Sequence, residues 1–199
     1  MSVSFFRKLV ASICAVVCVG SIFLGLLVKA KTQEKACTIY FVTTSTASVE
    51  ASAGIISLQG GAGYPMEDGV AFGVYFSMSD AEVAVNGVRE VYPNASVQNR
   101  SIFFSETDRS RKILYTALTH VQEWIKALEM GARQSVVKAG LAEIASLLNR
   151  VGVEHADELL ISISEELQRL SIKTVFANDL RYFLCWSCEG LQGKGLLKN

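Results

Sequence analysis

Val70-Ala-Phe-Gly-Val-Tyr-Phe76, followed at once by Ser77-Met-Ser-Asp-Ala81, is the stretch that decides the fold. Its first half is rich in β-branched and aromatic residues and reads as a strand. Ser77 or Ser79 then opens a helix, with Ala81, Val85, Val88 and Val91 near helical spacing. Pro93-Asn94 stops that helix, and Ala95 to Phe104 returns as a strand. Upstream, Tyr64-Pro-Met66 reads as a short edge strand, because proline cannot donate to a ladder. Glu67-Asp-Gly69 carries the Asp-Gly signal of a tight hairpin. Further upstream, Thr38-Ile-Tyr-Phe-Val-Thr43 reads as another strand. Ser48 caps a helix that runs to about Leu58, and Gln59-Gly-Gly-Ala-Gly63 ends it, glycines supplying left-handed positions. That glycine run follows a helix and lacks a Gly-Lys-Ser/Thr ending, so it is not a phosphate loop. The order β-α-β-β-α-β predicts an α+β fold: a four-stranded antiparallel sheet with two helices on one face.

Alternation along the strand at 70–76 places Val70, Phe72 and Val74 toward the helices. Ala71, Gly73 and Tyr75 then belong to the open face. A faint internal repeat links the two halves of the unit. Ser45, Ala47 and Ala53 correspond, twenty-eight places on, to Gly73, Tyr75 and Ala81. Only the alanine is identical, and it suits a helix that lies close on a sheet.

After Ser105 the pattern turns helical. Ser105-Glu-Thr-Asp108 resembles a helix start, and Ile113, Leu114, Ala117, Leu118, Val121, Trp124, Ile125 and Leu128 keep helical period. Gly131 breaks it. A second helix from Ser135 carries Val137, Leu141, Ile144, Leu147 and Leu148, a third runs near Ala156 to Leu170, and a weaker fourth covers about Asn178 to Cys188. These apolar stripes read as core or partner-helix contacts, with no inward cluster of histidines and carboxylates that would hold a cofactor. Whether residues 105–199 form their own unit or pack on the sheet is open at this level.

At the other end, Arg7 and Lys8 precede a charge-free apolar run, Leu9 to Val28, broken only by small residues. As a helix it reaches roughly 30 Å, the thickness of a bilayer core. Val28-Lys29-Ala30 offers small residues at the spacing of a signal-peptide cleavage site, but the run exceeds a usual signal-peptide core. The expectation is an uncleaved single-pass anchor in residues 1–35, with the amino terminus inside and the bulk outside the cytoplasm. Lys29, Lys31 and Lys35 beyond the run weaken that orientation signal.

The 199 residues carry 19 Lys and Arg against 19 Asp and Glu. This balance gives no pull toward nucleic acid. His120 and His155 each have a glutamate three places on but no cysteine nearby, which argues against a metal site. Cys185-Trp-Ser-Cys188 lacks both a second such pair for zinc and the strand-then-helix setting of a thiol-disulfide catalyst. Adjacent acids such as Glu67/Asp68 and Glu165/Glu166 do not face each other across a cleft as a hydrolase requires. Catalysis, metal and cofactor are therefore not expected.

Phe72-Gly-Val-Tyr-Phe-Ser-Met-Ser-Asp-Ala81 resembles the second half of a SPOR domain, the sporulation-related repeat. Gly73, Tyr75 and Ala81 match that family's strand ending in Gly-x-aromatic and its early-helix alanine. Gly60-Gly-Ala-Gly63 followed by Tyr64 is similar to the family's glycine turn before its second strand. In the first half only Ala53 agrees; Thr43, Ser45 and Ala47 stand where the family has a glutamine, a glycine and an aromatic. The likeness covers residues 36–104, and an anchor in residues 1–35 fits the family's habit. It implies a bacterial cell-envelope protein that binds peptidoglycan glycan strands, stripped of stem peptides, on the sheet face away from the helices, in cell division or sporulation. Thr43, Ser45, Gly73 and Tyr75 are then the glycan-binding candidates, Tyr75 as a ring beside hydroxyls. The missing first-half residues leave open a module for protein contacts alone, with the helical tail pairing with a partner or with itself. A thiol-disulfide oxidoreductase using the cysteine pair is the remaining alternative.

Overall fold

The computed structural model describes residues 35–45, 49–66, 69–104 and 108–198. The expected anchor, Leu9–Val28, and the hairpin tip at Glu67-Asp68 lie outside them. No described helix is long and apolar enough to cross a membrane.

Residues Glu34–Asn199 form one compact unit. Its elements run β1 (Lys35–Thr44), α1 (Val49–Leu58), β2 (Tyr64–Met66), β3 (Gly69–Tyr75), α2 (Met78–Arg89), β4 (Ser96–Phe104), α3 (Arg109–Glu129), α4 (Gln134–His155), α5 (Glu158–Ile172), α6 (Ala177–Gly193) and β5 (Leu197–Lys198). The strand order is β2-β3-β1-β4-β5, and every pairing is antiparallel. The first four strands make the α+β sheet read from the sequence. The two-residue β5 is an addition: Leu197 pairs with Ile102 and Lys198 with Ser101 on the outer edge of β4.

Local chemistry explains the boundaries. Ser77 caps α2, its side chain accepting from the Asp80 backbone N–H. Pro65 sits on the edge strand, where a missing donor costs nothing. Two glycines are required by crowding. A side chain at Gly63, where φ is 59°, would meet the Ala53 carbonyl, and one at Gly69 would meet the Thr44 carbonyl. Both residues bring the β2–β3 hairpin close to the first strand–helix pair.

One apolar layer joins the sheet to α2: Val42 packs with Ala81, Val85, Val88 and Ala95, and Tyr40, Phe72, Tyr75 and Val97 pack around them. Gly61 fits between Ile56 of α1 and Phe72, which brings α1 to the same layer. The opposite face is covered too. Phe41 and Thr43, adjacent to Val42 and so on the other side of the strand, line a cleft whose far wall is α6. Ile39, Phe41 and Ile102 are 0–2 % exposed. The helical tail therefore packs on the sheet, and the face expected to be open is largely roofed by α6.

A bulge also changes the alternation. Val42 pairs with Gly73 but Thr43 pairs with Ala71, so Phe72 is an extra residue in β3. Such an extra residue reverses the phase of the side chains that follow it. Ala71 stays with Thr43, whereas Tyr75 pairs with Tyr40 and packs against the α2 layer. Ala71 and Tyr75 thus do not share the face that regular alternation assigns to them.

Candidate functional site

The sheet face away from α1 and α2 holds a cleft of about 410 Å³. The ends of β1, β3 and β4 form its floor, through Phe41, Thr43, Thr44, Ala71, Ser96, Gln98 and Arg100, and α6 supplies Cys185, Glu189, Gln192 and Gly193. Three tethers hold the walls. The Tyr64 hydroxyl donates to Glu189 Oε2, Arg100 Nη1 donates to Gln192 Oε1, and the Tyr64 and Tyr182 rings meet edge to face with centroids 4.9 Å apart. Burial, the Glu189 hydrogen bond and the Glu189 charge all push the Tyr64 phenol well above its usual range. It stays a neutral donor.

At the mouth, Asn94 closes a small polar network. Its Nδ2 donates to the Ser45 carbonyl at 2.7 Å and Ser45 Oγ at 3.0 Å, while Thr44 Oγ1 donates to Asn94 Oδ1 at 2.8 Å. The cleft is thus a concave surface of hydroxyls, amides, one guanidinium and one carboxylate, with two aromatic residues, Phe41 and Tyr64, in its wall.

The four residues proposed from the sequence separate. Thr43, buried, and Ser45, exposed, both line this cleft. Gly73 is buried under the Tyr75 ring, whose hydroxyl would lie 3.1 Å from any side chain placed there. Tyr75 lines a second, more apolar groove of about 630 Å³ beside α2 and α3. Desolvation by burial, partly offset by Arg181, pushes its phenol up to about 12. Tyr64, Ser96, Gln98, Arg100, Glu189 and Gln192 were missed as a group. The visible signal was that β1 and β3 are apolar on both faces, which marks a sheet buried on both sides.

Cys185 and Cys188 lie one turn apart on α6, both buried with free thiols. Burial raises both, Cys188 to about 12, and the neighbouring cysteine and Glu189 add to the rise at Cys185. A thiol-disulfide catalyst needs an accessible thiolate, and this setting supplies the reverse. Glu166 pairs with Arg169 on the surface of α5. No group of three or more His, Cys, Asp or Glu residues able to hold a metal occurs among the described residues.

No protein-family model matches the chain, and neither a curated protein nor a solved structure matches it.

Proposed function

We propose that this chain is a non-catalytic, membrane-anchored cell-envelope protein whose βαββαβ unit, similar to a SPOR domain, binds peptidoglycan glycan strands. In this proposal Leu9 to Val28 is a single-pass anchor, and the bulk lies outside the cytoplasm of a bacterium, acting in cell division or sporulation. The observation that carries it is the cleft on the sheet face away from α1 and α2. Sugars present many hydroxyls and few apolar patches, so they need a surface rich in both donors and acceptors. Ser45, Asn94, Ser96 and Gln98 supply both kinds, and the buried rings of Phe41 and Tyr64 back the cleft. A volume of about 410 Å³ falls within the range of small-ligand sites, which suits one or two sugar units of a longer strand.

The test is co-sedimentation of the full chain, in detergent, with purified sacculi before and after amidase removal of stem peptides. Retention should rise on the stripped material. Gln98→Ala should lower it by roughly fivefold, the worth of one neutral hydrogen bond, and Tyr75→Phe should leave it unchanged. The rival proposal is a protein-contact module that binds no sugar. It is favoured by the way α6 roofs the sheet and by the exposed apolar residues Met130, Ile172 and Phe176 on the tail. Absence of retention on both materials would select it.

A further inference from the structure

Arg100 differs from the partly buried cations that pair with an acid. Lys126 pairs with Asp80, Lys173 with Asp179 and Arg181 with Glu129. None of the ion pairs among the described residues includes Arg100, although it sits inside the cleft. The cleft's own carboxylate, Glu189, is engaged by the Tyr64 hydroxyl.

Two contacts fix where the guanidinium points. It lies 5.0 Å from the Phe41 ring centroid, a cation–π contact. Its Nη1 donates to Gln192 Oε1 on α6. Among the described residues nothing accepts from Nε or Nη2. A guanidinium held in this way, part-buried and with an unused edge, matches a planar carboxylate through two parallel hydrogen bonds. The neighbouring Ser96 and Gln98 are neutral and suit the hydroxyls beside such a group.

We infer that Arg100 is the specificity-determining residue of this cleft and takes the carboxylate of an acidic sugar. On a peptidoglycan strand that carboxylate is the lactyl group of the muramic unit, which is an amide while the stem peptide is attached and becomes an anion when the peptide is removed. The inference rests on the glycan proposal above and deepens it: a charge, created by stripping, becomes the feature that the cleft reads.

The experiment titrates the full chain in detergent with a soluble stripped glycan oligosaccharide, and with the same oligosaccharide after methyl esterification of its carboxylates. Wild type should bind the free acid about tenfold or more tightly than the ester, the worth of a charge-assisted pair. Arg100→Gln should bind both at the ester's affinity, and Arg100→Lys should fall between, keeping charge but losing the fork. Equal wild-type affinity for acid and ester, or an equal loss on both in Arg100→Gln, would overturn the role of Arg100 while glycan binding stands. Binding to neither oligosaccharide would overturn the inference and the glycan proposal together. The comparison of ligands on wild type does not depend on any variant folding.

Discussion

Cys185 and Cys188 show how burial decides chemistry at the scale of single residues. A Cys-x-x-Cys spacing suggests redox work in the sequence, but on α6 it places both thiols in the protein interior. Burial pushes the Cys188 thiol up from the ordinary value of 9.0 to about 12. Between those values the unfolded chain binds fewer protons than the native one, so stability falls as pH rises through that window and is unaffected by these groups below it. Urea unfolding at pH 7, 9 and 11 should show a flat first interval and a decline in the second, with a shallower decline in Cys188→Ala. A thiol reagent at pH 8 should label neither cysteine until denaturant is added. Rapid labelling of the native protein would contradict the buried placement.

At the scale of elements, most boundaries were legible because they rest on local rules. Ser77 caps α2, Pro65 marks the edge strand, and the apolar periods of α3 to α6 appear where the sequence has them. The turn between α4 and α5 follows the same logic and makes a prediction. Ala156 has φ of 52°, a left-handed position that suits glycine, and Asp157 caps α5 by accepting from the Leu159 and Leu160 backbone N–H groups. Ala156→Gly should stabilise the protein by about 0.5–1 kcal/mol by relieving that backbone. Asp157→Ala should cost about 1 kcal/mol. Denaturant midpoints of the two variants, read with unchanged slopes, check both. The Phe72 bulge and β5 were not legible. In Val70-Ala-Phe-Gly-Val-Tyr75 both faces are apolar, so no polar phase reveals an inserted residue. Leu197-Lys198 is too short and too near a polar Gly-Lys-Gly stretch to signal a strand. It forms because Gly195, with φ of 69°, turns the chain back to the free edge of β4.

At the scale of the whole molecule, the sheet is a middle layer. α2 and α1 cover one side and α6 the other, so the apolar residues of β1 and β4 depend on the tail for burial. The candidate site depends on it as well, since Glu189 and Gln192 come from α6 while Ser45, Gln98 and Arg100 come from the sheet half. Long-range packing of this kind leaves no local mark in a sequence, which is why Thr43 and Ser45 were found there and Arg100 was not. Residues 35–104 alone would expose Ile39 and Ile102, which are 0 % and 2 % exposed in the native unit. That fragment should lack a dispersed NMR spectrum and bind a hydrophobic dye, whereas the full chain should unfold with coincident helix and tertiary signals. A dispersed, cooperatively unfolding fragment would contradict the layered account.

In the proposed function, sugar binds between the sheet and α6. The most direct test is NMR mapping of the full chain in detergent during titration with a stripped glycan oligosaccharide. Shift changes that saturate together at Ser45, Ser96, Gln98, Arg100 and Gln192, with Tyr75 and Val83 unmoved, are the predicted result. No change at any concentration, or changes confined to the groove beside α2 and α3, would contradict it.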